Sequence, residues 1–312
     1  MRPLRSEEIY GNWATLLLPV NANNSIDYGA LAEEIDVLIS MKVNGIYSNG
    51  TAGEFYNQTE REFDRVSSLL AEKCNAAGMP FQLGVSHMSP QLSLERLQRV
   101  VPLAPSAVQV ILPDWFPPEM SEIIDYLKVM AEAAFPCGLV LYNPPHAKKQ
   151  LSPENFGTIR RGGVALAGCK VAGGDERWYR SMKEQAGEMS LFVPGHTLAT
   201  GYTQGAAGAY SNVACLHPGA AQRWYELIRT DIANALEMEK RIQQFMEECI
   251  APYIRQDGYS NQAVDKFMAA LGAWAPLTPR LRWPYKWVPE SHLDRVRARA
   301  RKILPEFFES PV

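Results

Sequence analysis

The chain has 312 residues, 46% hydrophobic and 21% charged, with a net charge of −3 and a pI near 6.0; this ordinary globular composition allows two small domains or one large α/β barrel with an appendage. No basic stripe favours nucleic acid, no segment nears the roughly 20 apolar residues of a membrane helix, and no signal-peptide pattern opens the chain. The five cysteines (Cys74, Cys137, Cys169, Cys215 and Cys249) are scattered and never form C-x-x-C, which fits a reducing compartment, with the cytoplasm as the expected location.

Taken in order, Trp13 to Pro19 is a first apolar run, and Asp27 is placed to cap a helix with Leu31, Ile35 and Leu38 on one face. A second strand from Gly45 runs into the G-T-A-G-E segment of residues 50–54, and a helix begins near Thr59. Phe81 to Ser86 and Ala107 to Leu112 read as strands three and four, each followed by an amphipathic helix. Strand five, Cys137 to Asn143, is cut by Pro144 and Pro145, and a helix follows Ser152 and Pro153. Ala165 to Lys170 is strand six, Leu191 to Pro194 strand seven and Ala206 to Asn212 strand eight. Alternation of apolar runs and helices is the pattern of a parallel sheet with crossovers. Eight repeats over about 215 residues match a (β/α)8 barrel better than an open sheet. The expected layout is a barrel over residues 1–217 and a helical extension over 218–312, including helices at Ala221 to Leu236 and Met238 to Ile250.

In such barrels the reactive groups stand at the carboxyl ends of the strands. Lys170 ends strand six there, and its ammonium is costly to bury. A lysine held in an apolar site has a lowered pKa, and its neutral amine can attack a ketone to form a Schiff base. The bland alternative is a lysine that snorkels into water from a strand end. Tyr142 lies 28 residues earlier, one βαβ unit away, and a phenol beside an amine can shuttle the protons of carbinolamine formation. The turn from Gly50 to Gly53 can offer consecutive N–H groups to a carboxylate, with the Thr51 hydroxyl beside them.

These segments together, G-T-x-G-E after strand two, Y-N-x-P after strand five and G-x-K at strand six, resemble the dihydrodipicolinate synthase / N-acetylneuraminate lyase family of class I aldolases. The resemblance runs from about Trp13 to Arg282 and implies a (β/α)8 barrel with a C-terminal helical extension. It implies an imine between Lys170 and pyruvate or a related 2-keto acid, Tyr142 as the proton shuttle, and a carboxylate held by Thr51 and the Ala52 N–H. It also implies a lyase that needs no cofactor or metal, assembled as a homodimer or homotetramer. The family pattern usually has a second hydroxyl where this chain has Ala52, and a tyrosine where it has Trp115. Ala147 stands where the synthases carry an arginine for a second carboxylate, with Lys148 and His146 as neighbours that could substitute. Where neuraminate lyases carry acidic residues after strand seven, this chain has Gly195, His196 and Thr197.

The imine machinery is thus complete while the specificity shell differs. Trp115, Phe116 and Tyr210 make the far side of the expected pocket aromatic, with His196, Thr197 and Asn212 as polar contacts. Such a shell suits an aldolase or dehydratase with a bulky aldehyde partner. Two alternatives stand beside it: dihydrodipicolinate synthase proper, and a barrel that binds a keto acid without turning it over. Glu54 reads as a buttress of its turn, Cys169 as a core residue alternating with Lys170, and Trp178, Trp224 and Trp283 as packing residues.

Overall fold

In the computed structural model, which describes residues 1–308, eight short strands close into a barrel in chain order. They are β1 (Gly11–Thr15), β2 (Gly45–Ser48), β3 (Phe81–Gly84), β4 (Ala107–Ile111), β5 (Gly138–Tyr142), β6 (Gly168–Lys170), β7 (Ser190–Pro194) and β8 (Gly208–Ser211). All pairs are parallel, and β1 closes the ring by pairing with both β2 and β8. Between the strands lie α1 (Tyr28–Ser40), α2 (Glu60–Ala77), α3 (Pro90–Val100), α4 (Met120–Ala134), α5 (Pro153–Arg161), α6 (Glu176–Ala186) and α7 (Leu198–Thr203). The fold is a TIM barrel.

Local chemistry sets the helix starts. The Asp27 carboxylate accepts hydrogen bonds from the N–H groups of Gly29 and Ala30, Thr59 and Glu62 form a capping box, and Ser152 caps a helix whose first residue is Pro153. Strand alternation then sorts the core. Trp13, Tyr47, Val140, Phe192 and Tyr210 fill the barrel interior, while Ala14, Ile46, Leu141, Cys169 and Val193 pack under the helices. Cys169 is fully buried in that outer layer, so Lys170, the next residue, is on the inner side.

Several expected boundaries move. Only Trp13, Ala14 and Thr15 of the first run enter the ladder, in a strand that begins earlier at Gly11, and Leu16, Leu17 and Leu18 are buried in the outer core beyond its end. The sixth strand is three residues long, not the six from Ala165. Strand eight stops at Ser211, whose hydroxyl accepts from the Ala214 N–H and so begins α8 (Asn212–Leu216) at Asn212. Beyond it come α9 (Pro218–Thr230) and α10 (Ile232–Phe245), broken at Asp231 and not near residue 237. The Asp231 carboxylate caps α10 by accepting from the Asn234 N–H. A wide turn at Met246–Ile250 then leads into α11 (Ala251–Arg255), where Pro252 lacks the N–H needed to continue the ladder.

The remaining helices are α12 (Asn261–Gly272) and α13 (Leu293–Ile303). Helix α12 packs against α8 so closely that a Cβ on Gly272 would sit 1.7 Å from the Leu216 carbonyl oxygen. That approach admits only glycine. Trp224 is buried and donates through Nε1 to the Ala235 carbonyl, and Trp178 packs half-buried on the outer core. Trp283 is instead exposed. No helix among the described residues is long and apolar enough to cross a membrane.

Candidate active site

Pairing of β5 with β6 sets Tyr142 directly opposite Lys170. The Lys170 Nζ lies 4.2 Å from the Tyr142 ring centroid, 5.3 Å from that of Tyr47 and 5.6 Å from that of Tyr210. It donates a hydrogen bond to the Tyr47 hydroxyl at 3.3 Å. Burial in this aromatic ring of neighbours lowers its pKa from 10.5 to about 8, with Asp265 and then Cys215 pulling the other way. Burial drives the Tyr142 phenol up to about 12, against a smaller downward pull from the Thr51 hydroxyl. Tyr47 and Tyr210 are also pushed up by burial. At neutral pH the phenols are therefore protonated donors, beside an amine that is partly free.

The turn after β2 borders the same cavity of about 490 Å³ through Thr51 and Ala52. Neither N–H donates to a backbone carbonyl among the described residues, so both remain available to an anion. Gly50 is not part of the cavity wall; a Cβ there would lie 2.6 Å from the Tyr47 ring. Its role in the geometry is to let the turn pass over that ring. Glu54 turns the opposite way. Its Oε1 accepts from Lys266 Nζ at 2.8 Å and its Oε2 from the Arg282 N–H at 3.0 Å, and both side chains of the ion pair are essentially fully buried.

Other sequence-derived candidates separate. Tyr210, His196 and Asn212 line the Lys170 cavity, with the His196 N–H donating to Asn212 Oδ1. Burial lowers the His196 pKa. Tyr210 donates to Gln82 Oε1 at 2.7 Å and lies beneath the amine in the barrel interior, not on a far wall. Thr197 is outside this cavity; its hydroxyl donates back to the Pro194 carbonyl, closing a short 3-10 turn. Trp115 is also outside it, 73% exposed, and lines a neighbouring cavity of about 570 Å³ with Phe55, Tyr56, Tyr259 and Tyr285. The two cavities share Thr51, Tyr142, His146, Ile254 and Asn261 as walls. Ala147 borders only the outer one, and Lys148 is committed there, donating to the Trp115 carbonyl with its ammonium 4.9 Å from that ring. His146 alone of that segment's basic residues reaches both.

Two features were not read from the sequence. Tyr47 looked like an ordinary strand residue, although an aromatic between Gly45 and Gly50 was a signal that the barrel interior was filled there. The other is the extension itself: α10 to α12 supply Gln243, Met246, Ile250, Ile254 and Asp265 to the Lys170 cavity. Burial raises the Asp265 carboxyl to about 7, opposed by the Lys170 charge. Asp265 and Lys266 are adjacent charges inside an otherwise apolar helix, which is the signal that could have found them. Among the described residues no three His, Cys, Asp or Glu side chains are grouped to hold a metal ion.

The fold is a TIM barrel with Lys170, Tyr142 and Thr51 gathered at the carboxyl ends of the strands. The chain belongs to the dihydrodipicolinate synthetase family, whose model matches residues 9–302. It is 26% identical over 222 residues to 4-hydroxy-tetrahydrodipicolinate synthase of Staphylococcus haemolyticus, covering 69% of this chain and 74% of that one. In fold it is similar to YagE, a prophage protein of the dihydrodipicolinic acid synthase family from E. coli K12, solved in complex with pyruvate. That match has a TM-score of 0.80, 18% identity, and coverage of 96% of this chain and 98% of that one. A sialic acid aldolase of Ruminococcus gnavus, solved as a catalytic lysine mutant, matches with a TM-score of 0.82 and 20% identity over 98% of each chain. Members of the family are class I lyases and aldolases.

Proposed function

We propose that this protein is a Schiff-base lyase that acts on pyruvate or another 2-keto acid through an imine on Lys170. The observation that carries this reading is a lysine amine at the end of β6, of pKa about 8, held 4.2 Å from the ring of Tyr142. The neutral amine attacks C2 of the keto acid, whose carboxylate sits against the N–H groups of Thr51 and Ala52. Tyr142 gives a proton to the departing hydroxyl of the carbinolamine, and water leaves as the imine forms. The iminium then accepts the electron pair of a bond broken at C3, C3–C4 in an aldol cleavage or C3–H on the way to loss of water. The outer cavity, walled by Phe55, Tyr56 and Trp115, suits an apolar or aromatic aldehyde portion better than a second carboxylate.

Incubation with pyruvate, reduction with borohydride and intact-mass analysis test this. The expected result is one reduced pyruvate adduct that maps to Lys170 and is lost in Lys170→Ala with the fold retained. An unmodified chain with pyruvate and with larger 2-keto acids would sink the reading.

A further inference from the structure

We infer that Asp265 carries the C3 proton between the imine and the enamine of the bound 2-keto acid, a role that rests on the imine reading above. Asp265 lies in the second turn of α12 and borders the Lys170 cavity. Every other charged group near it has a partner. Lys266, the next residue, is buried against Glu54, and Glu247, the other acid on the cavity wall, is paired with Arg255. Asp265 has no hydrogen-bond or ion-pair partner of its own among the described residues. A half-buried carboxyl without a partner is a cost to the fold, and it leaves both oxygens free toward the ligand.

The alternatives for this proton are poor bases. The phenols of Tyr47 and Tyr210 are held protonated by burial, and Tyr142, pushed up to about 12, regains from solvent the proton it gave to the carbinolamine hydroxyl. His196 Nδ1 lies 3.0 Å from Asn212 Nδ2 and 3.3 Å from Asn212 Oδ1, and burial lowers the pKa of this imidazole, which makes it a weaker base than a free histidine. A carboxyl drawn up to about 7 is matched to proton transfer near neutral pH. In the step, the Asp265 carboxylate takes a proton from C3. The C3–H electron pair becomes the C2–C3 double bond and the C2–N π pair returns to the Lys170 nitrogen. The products are a neutral enamine and a carboxylic acid, and the reverse step returns the proton to C3.

Pyruvate in deuterium oxide tests this without any aldehyde. Methyl exchange is followed by proton NMR and imine formation by borohydride trapping, in wild type, Asp265→Asn and Asp265→Glu. The expected result is an adduct in all three, exchange reduced by about 100-fold or more in the asparagine variant, and partial exchange in the glutamate variant. Unchanged exchange in Asp265→Asn would overturn the inference. So would a loss of trapping in proportion to exchange, which would make Asp265 a holder of the Lys170 charge only. If Asp265→Asn fails to fold, judged by circular dichroism, Asp265→Ser is read in the same way. Absence of any adduct in wild type strikes the imine reading first and withdraws both.

Discussion

Under the proposed function, Lys170 owes its reactivity to displacement of one equilibrium. With a pKa of about 8, roughly one amine in ten is neutral at pH 7, against about one in a few thousand for an ordinary lysine. The neutral form is the nucleophile, so the rate of borohydride-trapped adduct formation should climb about tenfold per pH unit below pH 8 and level off above it. A rate still climbing steadily to pH 10 would show an unperturbed lysine. Because the Asp265 charge is what holds the lysine pKa up against burial, Asp265→Asn should move the inflection to lower pH. The two groups titrate as a pair, and the profile reports both.

At the scale of elements, α12 ties the extension to the turn after β2. Its Lys266 reaches Glu54 on the turn after β2 and also donates to the Arg280 carbonyl at 2.6 Å. Burial lowers the Lys266 pKa, and the Glu54 charge opposes that shift. Removing one member of a buried pair strands the other, so Lys266→Ala should cost about 3–5 kcal/mol. Urea unfolding read by far-UV dichroism measures it, and a cost below about 1 kcal/mol would mean that water reaches Glu54 once the lysine is gone.

The same element shows where sequence reading works and where it stops. Eight apolar runs with capped helices between them announce a barrel, because alternation and caps are local properties that Asp27, Thr59 and Ser152 carry in their own side chains. The junction of Tyr142 and Lys170 follows from the barrel's register and was equally legible. Trp115 and Thr197 were not placed correctly in the cavity, since a loop's sequence does not state which way its side chains turn. Asp265 was missed for a different reason. Nothing local tells that a helix beginning 91 residues after Lys170 folds back over the barrel mouth. Its charged pair in an apolar helix marks an exception to patterning without naming the partner.

Seen as a whole, the molecule exposes Met88 and Trp115 at 67% and 73% on the wall of the outer cavity, and Phe116, next to Trp115 in the chain, at 85%. Apolar groups gathered on one face favour contact with another protein surface, and a second copy of this chain is the expected partner. Sedimentation velocity should give a dimer or larger species, and Trp115→Glu with Phe116→Glu should shift it toward monomer with dichroism unchanged. A wild-type monomer at micromolar concentration would end that expectation.

The closure of α12 over the barrel mouth also bears on how the protein is made. Domains generally fold as units as the chain is made, and Lys170 emerges well before Asn261–Gly272. Without that helix the Lys170 cavity lacks the wall that carries Asp265. Under the proposed function the nucleophile is therefore fully set only once residues 261–272 have been made. A chain that stops short of α12 is thereby expected to react less readily with carbonyl compounds than the folded barrel.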